Sequence, residues 1–101
     1  MRIDHIVCFK FKDGTKPEMI ERHMQSFAAL SSMIPEIAGY TAGRTFKVSY
    51  EKTADYDVMH CVKFASQEAL ETYFFHEAHQ AFIEENKDLW QDVIVINADI
   101  Q

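Results

Sequence analysis

Residues 2–11 read Arg2-Ile3-Asp4-His5-Ile6-Val7-Cys8-Phe9-Lys10-Phe11, and the alternation within them decides the fold. Successive side chains of an extended chain point to opposite sides, so Ile3, His5, Val7, Phe9 and Phe11 share one face, and Asp4, Ile6, Cys8 and Lys10 share the other. The first face carries the large rings. The second is only half polar, so this strand has apolar groups to cover on both sides.

Outward from this strand, Asp13-Gly14 turns the chain, and Thr15 with Glu18 predicts a capping box for a helix that tolerates Pro17 in its first turn. Ile20, Met24, Phe27 and Ile34 lie along one helical stripe with Leu30 at its edge, and the helix is expected to stop at Ile34, before Pro35. Gly39 to Val48 reads as a second strand, with Tyr40, Ala42, Arg44 and Phe46 on one side. Ser49 to Asp55 is a polar connection. Tyr56 to Phe64 reads as a third strand, with Val58, His60, Val62 and Phe64 on one face and Met59, Cys61 and Lys63 on the other. Ser66 is the N-cap expected for a helix carrying Ala69, Leu70, Tyr73 and Phe74. A break near His76 leads into a further helical stretch with Ala78, Ala81, Phe82 and Leu89, and Asp92 to Ala98 is the last strand. Strand, helix, strand, strand, helix, strand is the split βαβ order. It predicts the α+β class: a ferredoxin-like four-stranded antiparallel sheet with its helices on one face. Residues 1–101 are expected to form a single domain.

The helix-free face of such a sheet should be polar in a monomer. Here Ile6, Cys8, Met59, Cys61 and alternate members of Val93-Ile94-Val95-Ile96 must point away from the helices, and a patch of this kind marks an interaction surface. A second copy meeting it sheet to sheet is the simplest cover, so a homodimer is expected.

Composition narrows the partners. A net charge of -6 and a pI of about 5.2 disfavour nucleic acid and anionic membranes, whose affinity comes from clustered Lys and Arg. The longest aliphatic run, Val93 to Ile96, is far short of a membrane span, and Met1 to Lys10 has no extended apolar stretch, so a cytoplasmic location is expected. Cys8 and Cys61 lack Cys-x-x-Cys spacing and read as small hydrophobes. With no phosphate loop, dinucleotide fingerprint or Ser-His-Asp order, no cofactor is expected. His76 and His79 have no dependable third ligand, even counting Glu77 or Asp55, so no metal is expected either.

Tyr73, at the end of one helix, and His79, near the start of the next, form the sharpest pair. Both can point between helices and sheet, where a phenol and an imidazole suit proton transfer. His5 and His60 sit on the faces that also carry Val7, Phe9, Val58 and Val62, and as residues of neighbouring strands they are expected to lie close together. Val7, Phe9, Met24, Phe27, His60 and Trp90 are expected to wall a pocket for a small apolar ligand. The plainer alternative is that His79 caps a helix or joins a structural hydrogen-bond network.

Several segments together resemble the stress-responsive dimeric α/β-barrel (Dabb) family over nearly the whole chain: His5 to Phe11, Ile34-Pro35, Gly43-Arg44, Phe64 to Leu70, and above all His76-Glu77-Ala78-His79-Gln80-Ala81-Phe82. The resemblance implies a ferredoxin-like protomer whose sheet pairs with its twin into a dimeric α+β barrel. Many members of that family have no assigned activity, and a few plant members are polyketide cyclases. Resemblance to these implies His79 as general base and Tyr73 as the group that positions a carbonyl, and a cyclase-like site here would have His5 or His60 assisting. Phe27 stands where those cyclases have a tyrosine, Val58 where they have a histidine, and Glu77 where the family more often has proline. Three functions are open at this point: a homodimeric stress-responsive protein with a small apolar pocket, a cofactor-free cyclase-like lyase acting on an activated carbonyl compound, or a purely structural oligomer in which the histidines matter for folding only.

Overall fold

In the computed structural model, which describes residues 2–101, the alternating segment forms β1 (Arg2–Phe11), an interior strand of the sheet. Gly14, at φ 86°, is where the chain turns out of β1, a conformation that glycine alone adopts without steric cost. Then follow α1 (Pro17–Met33), β2 (Gly39–Arg44), β3 (Val58–Phe64), α2 (Gln67–Phe75), α3 (Glu77–Asn86), a 3-10 turn (Lys87–Leu89) and β4 (Trp90–Ile100). The four strands are antiparallel in the order β2-β3-β1-β4, the expected ferredoxin-like arrangement of the α+β class. Among the described residues, no helix is long and apolar enough to cross a membrane.

Register fixes the two faces. His5 lies opposite Val62 and Asn97, Val7 opposite His60 and Val95, and Phe9 opposite Val58 and Val93, all on the side under the helices. There Phe9, Phe27, Ile34, Val58, Val62, Phe64 and Tyr73 form the buried centre of the core. On the outer side Ile6 sits between Cys61 and Ile96, and Cys8 between Met59 and Ile94. Ile94 and Ile96 are thus the outward members of their pairs, and Ile96 is 53% exposed.

Local structure departs from the sequence reading in four places. The capping box does not form: Lys16 is the N-cap without a side-chain bond, and the Thr15 hydroxyl donates instead to the Lys12 carbonyl. The second and third strands are shorter than read, because residues 45–57 have no partner strand. That segment is pinned at its far end, where Asp57 N–H donates to the Phe9 carbonyl and the Asp57 carboxylate accepts from Phe11 N–H at 2.8 Å. Phe46, read as part of the strand face, is exposed. The centre of the α1 stripe is His23, Phe27 and Leu30, with Ile20 and Met24 only half-buried at its sides. Ser66 caps α2 as expected, accepting from Ala69 N–H, and the break falls at His76, whose Nδ1 accepts from Ala78 N–H to cap α3.

Candidate functional site

α2 and α3 meet at a bend over β1, and this bend brings Tyr73 and His79 together with their ring centroids 4.4 Å apart. Tyr73 is fully buried between Phe64 and the His5 ring, at centroid distances of 5.0 and 5.7 Å. Its hydroxyl has no hydrogen-bond partner among the described residues. A buried donor left unpaired costs about 1–3 kcal/mol, so such groups are rare and call for an explanation.

Both histidines beside it are held by one ring nitrogen. His79 Nδ1–H donates to the Phe74 carbonyl at 2.8 Å, which leaves Nε2 as the lone-pair nitrogen. His5 Nδ1–H donates to Asn97 Oδ1 at 2.5 Å, which does the same for its Nε2. Burial lowers the pKa of each, against the opposing pull of these bonds, and the nearby His5 lowers His79 further. Neutral imidazoles with free Nε2 atoms are proton acceptors at neutral pH. The Tyr73 phenol is pushed up by burial and stays a donor.

These three groups line a cavity of about 140 Å³ whose other walls are apolar, among them Val7, Phe9, Phe27 and Trp90. A cavity of about 150 Å³ holds a molecule the size of benzene. The aromatic side chains narrow the space without filling it.

Two residues expected in the pocket wall lie elsewhere. Met24 faces a separate groove beside Tyr40. His60 is fully buried outside the cavity, stacked on Phe27 at 4.0 Å, with the Tyr40 hydroxyl 2.7 Å from its Nδ1. His5 and His60 share the inner face on neighbouring strands, as expected, but in diagonal positions and not side by side. His5 stands opposite Val62, which staggers the two histidines along the sheet, and the imidazole near His60 is His23, at 6.5 Å. His23 is buried and accepts from Trp90 Nε1–H at 2.8 Å. Burial takes His23 down to about 4 and His60 to about 3, the latter also through repulsion from His23.

Asn97 and His23 carry roles that the sequence reading missed. Each had a signal: Asn97 is the polar residue in the inward series Val93, Val95, Asn97, and His23 lies three residues after Ile20 and four before Phe27 on the apolar stripe. Among the described residues, no group of three His, Cys, Asp or Glu side chains is placed to hold a metal ion. Asp55 is engaged by Lys10 and Lys47.

Fold and site together define an α+β protein with a small, largely apolar pocket between its sheet and its helices. The chain belongs to the stress responsive A/B barrel domain family, whose model matches residues 3–100. It is 32% identical over 81 residues to the stress-response A/B barrel domain-containing protein HS1 of Arabidopsis thaliana, covering 79% of this chain and 72% of that one. It is 24% identical over 97 residues to olivetolic acid cyclase of Cannabis sativa, covering 96% and 95%. The solved hydroxynitrile lyase of Passiflora edulis superposes with a TM-score of 0.88 at 20% identity, over 99% of this chain and 94% of that one. Other solved structures of this fold are described as dimeric, at 21, 20 and 16% identity.

Proposed function

We propose that the protein is a homodimer in which each protomer binds a small, largely apolar carbonyl compound and moves a proton at the carbon beside the carbonyl. The observation that carries the reading is the Tyr73 hydroxyl, buried at the cavity without a partner among the described residues and flanked by two neutral imidazoles. A carbonyl oxygen accepting from Tyr73 satisfies the orphaned donor, and that bond strengthens as the oxygen gains charge in an enolate. His79 Nε2 takes the proton, and the Phe74 carbonyl that accepts from its Nδ1–H steadies the imidazolium that forms; His5, also beside Tyr73, assists. The relative named as olivetolic acid cyclase supports chemistry on a carbonyl compound.

The dimer is supported by the outer sheet face. Ile6, Cys8, Met59, Ile94 and Ile96 form a continuous apolar surface on the side away from the site, so two copies can close over it and leave both pockets open.

Cyclohexanone, whose ring matches the cavity in size, serves as the test. The protein should exchange its α-protons for deuterium in D2O, as followed by NMR, and His79→Ala should lose the exchange. Wild-type exchange no faster than buffer overturns the proton-transfer reading.

A further inference from the structure

A second, larger hollow adjoins the site. Between α2 and β4 runs an open groove of about 750 Å³, and His5, Phe74 and Val95 line both it and the inner cavity. Phe74 stands at the junction, 45% exposed, with its backbone fixed through a carbonyl that accepts from His79 Nδ1 and Gln80 Nε2. Beyond it the groove is walled by Ile3, Leu70 and Phe75, the last 68% exposed.

The charge in this groove has one sign. Glu71 and Asp99, both solvent-exposed, line its mouth, Gln67 and Asn97 are neutral, and among the described residues no Lys or Arg lines it. Neither carboxylate is paired with a cation among the described residues. An anionic ligand would meet two like charges and no counter-charge, on a protein already at -6.

We propose that the α2–β4 groove binds an uncharged apolar tail of the molecule whose carbonyl sits in the inner cavity, and that its acidic mouth rejects ligands carrying a carboxylate or phosphate at the end of that tail. The substrate class is then a neutral, tailed carbonyl compound. This rests on the pocket reading above and adds the specificity.

Calorimetric titration with three ligands separates the two ideas. Cyclohexanone fills the cavity alone, 4-butylcyclohexanone adds a tail opposite the carbonyl, and 4-(4-oxocyclohexyl)butanoate ends that tail in a carboxylate. Burying one methylene is worth about 0.8 kcal/mol, about fourfold in affinity, and half-burial in an open groove about twofold, so the four-carbon tail should make the butyl compound bind about sixteenfold tighter than cyclohexanone. The carboxylate should show none of this gain, and Glu71→Gln with Asp99→Asn should restore it. Phe75→Ser, a change at an exposed ring, should weaken the butyl compound and leave cyclohexanone unaffected. Equal binding of cyclohexanone and the butyl compound, or of the butyl compound and the carboxylate, overturns the tail proposal while the pocket reading stands. No binding of either neutral ketone ends both.

Discussion

Trp90 Nε1–H donates to Nε2 of His23 across 2.8 Å, joining the first residue of β4 to the middle of α1 inside the core. The bond requires an unprotonated Nε2, so His23 must be neutral in the fold. Its pKa of about 4 and that of His60, about 3, lie below the ordinary value of 6.5 that each takes in the unfolded chain. The unfolded state therefore binds the protons first: the stability is fully present above pH 6.5 and is lost as the pH falls from there towards 4. Each histidine contributes about 1.4 kcal/mol per pH unit within that window, and His5 and His79 act in the same direction. Guanidinium unfolding between pH 7.5 and 4.5 should show this slope, and His60→Gln should remove about one proton's share of it. A flat profile would mean that these histidines are not buried neutral.

Tyr73→Phe tests the orphaned hydroxyl. A buried tyrosine with a partner loses stability when the oxygen is removed, whereas here the substitution should raise the unfolding free energy by about 1 kcal/mol. The same variant should slow α-proton exchange on cyclohexanone at least about tenfold. A destabilised variant would mean that the hydroxyl is already satisfied inside the protein.

Asn97 holds His5 as a neutral acceptor. Replacing the amide by a carboxylate, Asn97→Asp, places a negative charge beside Nδ1–H and should raise the His5 pKa by about 1 to 2 pH units, as read from its ring proton in an NMR titration. The acidic limb of the exchange profile should move up with it if His5 takes part in the reaction.

The outer face makes the fourth prediction. Ile96 lies opposite Ile6 at the centre of the apolar surface, and a buried unpaired carboxylate there costs several kcal/mol. Ile96→Glu should convert the dimer to a folded monomer in sedimentation equilibrium. A dimer that survives the change uses another surface.

The parts of the fold legible in the sequence are those with a local cause. The period-two pattern of residues 2–11 and 58–64 gave the faces of β1 and β3, and Ser66 gave the start of α2, because each depends on neighbours along the chain. Arg44, Phe46 and Val48 keep a strand-like alternation, yet the ladder stops at Arg44, since pairing needs a second strand and β3 begins only at Val58. The pairing of Tyr73 with His79 follows from the bend at His76, which is visible locally. His60 lies on the face that the alternation of β3 predicts, whereas its offset from His5 depends on the register between strands and not on either strand alone. His23 is not legible in the pattern, because a polar residue within an apolar stripe reads as a gap, and only the indole reaching it from β4 makes it part of the core.

Trp90 is the chain's single tryptophan, and its two sides have different employments. One side of the indole borders the inner cavity and packs 5.0 Å from Phe9, while its nitrogen is committed to an imidazole that titrates. Its emission should therefore report on both, because a ligand entering the cavity and protonation of the imidazole each change the surroundings of the same indole. With no other indole to contribute, every spectral change comes from this one position, and each protomer carries an unlabelled sensor of its own occupancy and acidity.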